Sequence, residues 1–294
     1  MSQRHSDVLH RFLIDGTPVR GVLVRLDESW NAIRGRCEYP PAVAKLLGEA
    51  MAAVALFGGH TKVEGRLSLH LKGGQSLRTV FAEYRQPGVL RGLAHWHDPM
   101  PAELSPRQFG SDALLAITVE AEVPGQDEPV RYQGLVDLDA PTLAQACERY
   151  FSQSEQLPTR LILLEHGEHV VGLLLQVMPG ADSDDALWTE LGALLDTLSA
   201  QELVELPAET LLYRLFHERG VRLLAEQSLA FDCTCSRERV AQMLRGLGED
   251  EATAALQDGY ATVACEFCGQ AYRFDAIDIR TLFNAPMPEH DTRQ

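Results

Sequence analysis

Four cysteines near the C-terminal end of the chain are the residues best suited to chemistry. Cys233 and Cys235 form a Cys-Thr-Cys pair, and after 29 intervening residues Cys265 and Cys268 form a Cys-Glu-Phe-Cys pair. Two close pairs can converge on one tetrahedral ion, and thiolates at about 2.3 Å are the ligands that Zn²⁺ takes in a closed structural site. The tight Cys-x-Cys spacing would give a strained, easily reduced disulfide without the metal. The pattern therefore predicts one Zn²⁺ per chain, at a site whose cysteines are also redox-active.

Other uses of these cysteines are an iron–sulfur cluster and structural disulfides. The first ten residues contain no apolar h-region of an export signal, so an oxidising compartment is disfavoured and zinc is preferred over disulfides. A thioredoxin-type motif is disfavoured as well, because Cys265 follows the strand-like Tyr260–Ala264 segment and does not begin a helix. A four-thiolate zinc site is the favoured interpretation.

The remaining cysteines and the paired histidines are weaker candidates. Cys147 lies in a helical pattern and Cys37 in a loop, and neither has a histidine partner nearby in sequence, so both are interpreted as passive thiols. The chain has no Gly-x-Ser-x-Gly elbow, Walker A loop or Gly-x-Gly-x-x-Gly fingerprint, so neither an enzyme nor an ATPase is predicted. Two short-range histidine pairs are expected to be solvent-exposed and not metal ligands: His95, His97, His166 and His169.

The charge balance excludes some classes of partner. The 294 residues contain 26 Lys and Arg against 42 Asp and Glu, a net charge of −16. Residues 231–283 carry five Arg against nine acidic residues, whereas a DNA-reading finger needs a basic face. The longest apolar helix candidate covers residues 41–57, and with Lys45 and Glu49 it is predicted to be too short and too polar to span a bilayer. We therefore expect a soluble, cytoplasmic protein with no nucleic-acid or membrane partner.

The first 180 residues predict an α+β domain. Two strands flank an Asp15-Gly16 turn, which is a strong hairpin signal. A helix that begins at Pro41 and ends before Gly58 has little polar surface and is predicted to be the central buried helix. Alternating segments predict half-buried antiparallel strands at residues 66–73, 77–85, 112–121 and 129–138, followed by a helix at 142–154 and a hairpin at 161–178 that turns at Gly167.

An acidic segment follows. Residues 181–207 contain seven Asp and Glu and no basic residue or histidine. The pattern predicts one helix capped by Asp182 or Ser183, a second with a Ser199–Glu202 capping box, and a third opened by Pro207. Because the acidic face has no cationic partner at i+4, these helices should depend on tertiary packing. We interpret residues 181–230 as a metastable helical linker; the alternative is ordinary surface helices.

Residues 231–283 form the predicted zinc module. Ser236 should cap a helix that turns Val240, Met243 and Leu244 inward, and a short strand leads into the second cysteine pair. About fifty residues seldom hold together by burial alone, whereas Zn²⁺ binding contributes on the order of 10 to 16 kcal/mol in small peptides. Metal loss should therefore unfold the module. The predicted organisation is a core domain at 1–180 that includes the client-binding region, the linker, the zinc module and a tail at 284–294.

The runs FDCTCSRERV and CEFCGQAYRFD resemble the zinc-binding motif of the redox-regulated heat-shock chaperone family of about 33 kDa, heat shock protein 33. The segments RYQGLVDL, ERYFSQSEQLPT, LLLQVMP and LLYRLFHE resemble that family in the same order, so the resemblance covers nearly the whole chain. The N-terminal dozen residues and the tail after Phe283 match poorly.

The resemblance implies an ATP-independent holdase that is inactive while its four thiolates bind zinc. Oxidants would then form two disulfides, Cys233 with Cys235 and Cys265 with Cys268, expel the zinc, and unfold the module and linker. Apolar surface uncovered in this way would bind unfolding client proteins. The alternative is a constitutively folded zinc-binding adaptor, or an enzyme with an unrecognised site, without redox switching. The sequence leaves open a homodimer of the oxidised chain, the client-binding residues, the activating oxidant and the order of disulfide formation.

Overall fold

The computed structural model describes residues 7–60, 65–74, 76–110, 112–123, 125–126, 128–181 and 184–284. The chain divides into two compact units, a first unit at residues 1–232 and a second unit at residues 233–294. Within these described residues, the first unit contains two β-sheets around one long helix, and the second contains a β-hairpin with three helices.

The first sheet is antiparallel and has five strands. Strands β1 (Val8–Ile14) and β2 (Val19–Leu26) form the hairpin predicted around Asp15-Gly16, and Gly16 has the positive φ of 69° that favours glycine in a tight turn. The predicted hairpin at Gly167 is also confirmed. In spatial order the strands are β10 (Val221–Ser228), β1 (Val8–Ile14), β2 (Val19–Leu26), β9 (His169–Val177) and β8 (Thr159–His166).

The second sheet has six strands, and four of the five pairings between them are antiparallel. The fifth joins the two-residue strand β11 (Ala230–Phe231) in parallel to β5 (Val89–Trp96). The four strands predicted from alternation at residues 66–73, 77–85, 112–121 and 129–138 are confirmed as β3 (Gly65–Lys72), β4 (Leu77–Arg85), β6 (Leu114–Ala121) and β7 (Val130–Val136). In spatial order the strands are β11 (Ala230–Phe231), β5 (Val89–Trp96), β4 (Leu77–Arg85), β3 (Gly65–Lys72), β6 (Leu114–Ala121) and β7 (Val130–Val136).

Helix α2 (Pro41–His60) lies between the two sheets, and this confirms the predicted central buried helix. Glycines in both sheets let it approach closely: a side chain at Gly92 of β5 would collide with Met51, and one at Gly172 of β9 would collide with Leu56. The helix is longer than predicted, and by length and composition it could cross a membrane, so the expectation that it is too short is wrong. Its apolar window is 89% buried, which is typical of a core helix in a globular domain.

Two further helices complete the core of the first unit. Helix α1 (Glu28–Arg34) follows β2 and buries Trp30. Helix α3 (Leu143–Gln153) confirms the helix predicted at 142–154; Thr142 caps it by accepting a hydrogen bond from the Gln145 N–H. A short 3₁₀ turn spans Pro106–Gln108. The antiparallel sheets around α2 confirm the predicted α+β class.

Three helices form the acidic segment: α4 (Asp185–Asp196), α5 (Ala200–Glu205) and α6 (Ala208–Leu215). The predicted caps Asp182 and Ser183 lie outside the described residues, and the observed cap of α4 is Asp184. The Ser199–Glu202 capping box is confirmed, and Pro207 directly precedes α6. After α6 the chain continues as β10, a strand that the sequence pattern did not predict, and pairs with β1.

These helices pack on the face of the first sheet opposite α2. Leu191, Leu195, Leu203, Leu211, Leu212, Leu215 and Phe216 are buried together with Phe12, Ile14, Val19, Leu23, Val171, Leu173, Leu175 and Val177 of the sheet. The helices therefore cover a continuous apolar surface on β1, β2 and β9.

The acidic face has cationic partners from more distant parts of the chain, which the predicted lack of partners at i+4 did not cover. The Arg219 Nε atom donates to the Glu190 carboxylate at 2.8 Å, and Arg214 lies 3.5 Å from Glu202. The hydrogen bond from Arg219 lowers the pKa of Glu190. Both arginines come from α6 or the turn after it, beyond the i+4 range that the helical pattern could reveal.

The second unit has a small core. Its elements are α7 (Arg237–Leu247), α8 (Glu249–Ala254), β12 (Tyr260–Ala264), β13 (Ala271–Asp275) and α9 (Ala276–Asn284). Six apolar side chains are buried in it: Val240, Leu244, Ala252, Ala261, Phe274 and Ile279. Met243 is 46% exposed, so its predicted inward orientation is wrong. Val240 and Leu244, four residues apart, define the buried stripe of α7, and Met243 lies outside it.

Candidate metal centre

The first cysteine pair lies in an irregular segment immediately before α7. Ser236 caps that helix as predicted, with its side chain accepting the Arg239 N–H at 3.3 Å. The Arg239 guanidinium turns back and donates to the Thr234 carbonyl at 2.6 Å. This hydrogen bond fixes the backbone between Cys233 and Cys235.

The second cysteine pair lies on the turn between β12 and β13. The Cys265 N–H donates to the Gln270 carbonyl at 2.9 Å, and the Gly269 N–H donates to the Cys265 carbonyl at 2.8 Å. Gly269 has a φ of 72°, which glycine adopts without steric cost. The turn therefore holds Cys265 and Cys268 on one short loop.

Arg237 connects the segment of the first pair to the strand that follows the second. Its guanidinium donates to the Arg273 carbonyl at 2.6 Å and to the Asp278 carboxylate at 2.7 Å. It also lies 4.2 Å from the centre of the Phe274 ring, within the range of a cation–π interaction. Sequence reasoning missed Arg237, because all of these partners lie 36 or more residues away.

The structure brings all four predicted cysteines together. Their Sγ atoms lie within 4.8 Å of one another, with Cys233 3.6 Å from Cys265 and Cys235 3.3 Å from Cys268. Four sulfurs at about 2.3 Å from one tetrahedral ion would be about 3.8 Å apart. The cluster therefore fits a metal ion, and an all-thiolate donor set is one that Zn²⁺ and iron–sulfur centres share.

The pKa values of the clustered thiols are shifted in different directions. A hydrogen bond from the Tyr272 hydroxyl, at 3.1 Å, is the main cause that lowers the pKa of Cys235 to about 7. Burial raises the pKa of Cys233 to about 12 and also raises the pKa of Cys268. A bound cation favours the thiolate form of every ligand, so it would oppose the effect of burial. Tyr272 was also missed by sequence reasoning.

The other two cysteines lie elsewhere. Cys147 is fully buried in α3, and burial raises the pKa of its thiol to about 12, so it stays protonated at neutral pH. Cys37 is exposed in the loop before α2.

Two of the four histidines, His97 and His166, are exposed as expected. His95 is partly buried, so the expectation of a solvent-exposed side chain is wrong for it. His169 departs from the expectation of a solvent-exposed side chain, because it is half-buried and its Nδ1 atom lies 2.7 Å from the Asp27 carboxylate. Among the described residues, the group that could hold a metal ion consists of the four cysteines.

The protein thus belongs to the class of α+β proteins in which a two-sheet unit with a central helix is followed by a small unit with a candidate four-cysteine metal site. Residues 7–275 match the sequence profile of the Hsp33 protein family. The chain therefore belongs to the Hsp33 family.

Similar proteins span almost the full length of the chain. The 33 kDa chaperonin of Shewanella loihica is 40% identical over 98% of this chain and 99% of its own length. Those of Nitrosococcus oceani and Pseudomonas aeruginosa are also 40% identical, covering 94% and 95% of each chain, respectively. The crystal structure of the 33 kDa chaperonin from Thermotoga maritima has the same fold, with a TM-score of 0.75 at 20% identity, and covers 95% of this chain and 98% of its own.

Proposed function

We propose that this protein is an ATP-independent chaperone that oxidation switches on. The observation that carries the proposal is the cluster of Cys233, Cys235, Cys265 and Cys268 in a member of a chaperone family. In the reduced form the four sulfurs bind one Zn²⁺ and the protein holds clients poorly. In the oxidised form the cysteines are disulfides and the protein binds unfolding clients.

The proposed metal is supported by the size of the second unit. Six buried apolar side chains make a core that is small for an independent fold. Bound Zn²⁺ would keep the four sulfurs ionised and tie the segment before α7 to the β12–β13 turn. Arg237 and the Ser236 cap orient the two segments in advance.

Oxidation then proceeds on the cysteines themselves. A thiolate attacks a peroxide oxygen and becomes a sulfenic acid as the other oxygen leaves as hydroxide. A neighbouring thiolate attacks that sulfur, forms the disulfide and releases a second hydroxide, so each peroxide takes two electrons from one pair. Following the family resemblance, we assign the pairs as Cys233 with Cys235 and Cys265 with Cys268. A disulfide sulfur has no charge with which to bind a cation strongly, so the second unit loses its metal.

The expected consequence is exposure of apolar surface. Cys233 lies two residues after the end of β11, and upstream of β11 lie β10 and the linker helices α4–α6. Strand β10 is at the edge of the first sheet in the described structure, and β11 has two residues. If unfolding extends into this segment, the apolar face of β1, β2 and β9 beneath α4–α6 becomes available to clients.

The proposal includes location and partners. A switch that starts from reduced thiols belongs in a reducing compartment, so we place the protein in the cytoplasm. The net charge of −16 disfavours nucleic acid and anionic membranes as partners. The proposed partners are unfolding proteins and, for the oxidised chain, a second copy of itself that binds through the exposed surface.

The test measures aggregation of a heat-denatured model enzyme without ATP. Protein oxidised by peroxide at elevated temperature should suppress aggregation, reduced zinc-loaded protein should not, and adding a reductant with zinc should reverse the effect. A variant with all four cluster cysteines replaced by serine is the matched control and should not respond to peroxide. Equal activity of reduced and oxidised protein, or a requirement for ATP, would refute the switch and favour a constitutively folded zinc-binding adaptor.

A further inference from the structure

Tyr272 makes a hydrogen bond across the cysteine cluster. It lies on β13, opposite Val263 of β12, and follows the turn that carries Cys265 and Cys268. Its hydroxyl, however, donates to the Sγ atom of Cys235, in the other pair, at 3.1 Å. The contact joins residues 37 positions apart in the chain, and the ring also packs against the core of the second unit.

A hydrogen bond to a thiolate has two physical effects. It fixes the direction in which the sulfur lone pairs point, so the sulfur is oriented as a ligand before the metal binds. It also withdraws electron density from the sulfur and occupies one of its lone pairs, which lowers its reactivity as a nucleophile. Both effects act on Cys235 as the sulfur that receives the bond.

We propose that Tyr272 is a positioning residue that holds Cys235 as a metal ligand and restrains its attack on electrophiles. The inference rests on the proposed metal site and adds a residue outside the four ligands. Tyr272 would thus give the two sulfurs of the first pair different reactivities. Cys235 would be a weaker nucleophile than it would be without the hydroxyl.

The test compares the wild-type protein with Tyr272→Phe, which keeps the ring and removes the hydroxyl. Competition with a chromophoric zinc chelator should show 10- to 100-fold weaker zinc binding, about the effect of losing a hydrogen bond to a metal ligand. Alkylation of the zinc-loaded protein by iodoacetamide is followed over time by mass spectrometry. The ratio of the Cys235 rate to the Cys268 rate should be several-fold higher in Tyr272→Phe than in the wild type. In Co²⁺-loaded protein the thiolate-to-cobalt charge-transfer band should shift.

Two variants separate this role from a general structural one. Tyr260→Phe removes a hydroxyl from the partner strand, where the ring lies under the Arg273 guanidinium, and should leave zinc binding and the Cys235 rate unchanged. Val240→Ala opens the small core and should accelerate alkylation of all four cysteines alike.

The outcomes decide between the possibilities. An unchanged ratio of Cys235 to Cys268 alkylation in Tyr272→Phe, with zinc affinity equal to that of Tyr260→Phe, overturns the inference and leaves the metal site intact. Uniform acceleration, as in Val240→Ala, also overturns it and assigns Tyr272 to packing. Wild-type protein that binds less than half an equivalent of zinc would refute the metal site as well.

Discussion

At the residue scale, each cysteine of the cluster is expected to supply a bond that no neighbouring side chain can replace. Replacing Cys265 with Ser leaves three thiolates, and a serine hydroxyl is a poor zinc ligand because it stays protonated at neutral pH. We expect zinc affinity to fall by at least 100-fold. The measurement is chelator competition on reduced protein, with the metal content determined after dialysis.

The matched controls are the two cysteines outside the cluster. Cys37→Ser changes an exposed thiol and Cys147→Ala changes a buried one, and both variants should keep one equivalent of zinc. Zinc loss in either control, or retention of full affinity by Cys265→Ser, would show that the assigned ligand set is wrong.

Glu49 gives a second prediction at this scale. Burial raises the pKa of its carboxyl to about 7, with the nearby Lys45 opposing the shift and Glu165 adding to it. The folded state then holds the proton more tightly than the unfolded state does, so this group's stabilising contribution is complete below about pH 4.5 and is lost as the pH rises through 7. The difference amounts to about 3 kcal/mol.

Glu49→Gln cannot ionise, so its free energy of unfolding should increase relative to wild type by about 2 to 3 kcal/mol between pH 5 and pH 8. Denaturant unfolding followed by tryptophan fluorescence measures this, since Trp30, Trp96 and Trp188 all lie in the first unit. Lys45→Met removes the opposing cation, so the pKa of Glu49 should rise and the loss of stability should extend to higher pH than in the wild type. Parallel pH profiles for wild type and Glu49→Gln would contradict the prediction.

At the scale of elements, α4–α6 are stabilised by contacts of two kinds. Their leucines are buried against the first sheet, whereas the ion pairs from Arg214 and Arg219 are exposed and contribute little. The helices are short, and isolated helices of six to twelve residues are unstable in water. Their structure therefore depends on the sheet beneath them.

If oxidation releases this segment, amide hydrogen exchange should show it. We expect residues 187–198, which cover most of α4 and the two residues after it, to lose protection after oxidation with zinc release, together with β10. Helix α2 should stay protected because both sheets cover it. The control is the reduced zinc-loaded protein under the same conditions. Unchanged protection of residues 187–198 would mean that α4–α6 are ordinary surface helices.

At the scale of the whole molecule, the two units differ in what stabilises them. The first has an extensive core around α2, whereas the second has a small one beside a cysteine cluster. Removing zinc from reduced protein with a chelator should therefore unfold the second unit and leave a cooperative urea transition of the first.

The measurement is urea unfolding with two probes before and after chelation. Tryptophan fluorescence reports the first unit, and exchange protection at Val240 and Phe274 reports the second. Val240 and Phe274 should lose protection on chelation, and the fluorescence transition should persist. Full protection of the second unit in the absence of metal would contradict the view that zinc stabilises it.

Local features of the sequence predicted a large part of this structure. The Asp15-Gly16 turn, the Ser199–Glu202 capping box and the Ser236 cap are each decided within a few residues, because turn and cap geometry depend on neighbouring backbone groups. The spacing of the four cysteines likewise predicted a shared site.

Tertiary structure alone decided the features that join distant segments. Strand β10 has little alternation of its own and forms because β1 offers it an edge more than 200 residues away in sequence. The pairing of Arg219 with Glu190, of His169 with Asp27 and of Tyr272 with Cys235 depends on how the elements pack. Such contacts follow from sheet register and helix docking, which the whole chain sets together, so no local pattern encodes them.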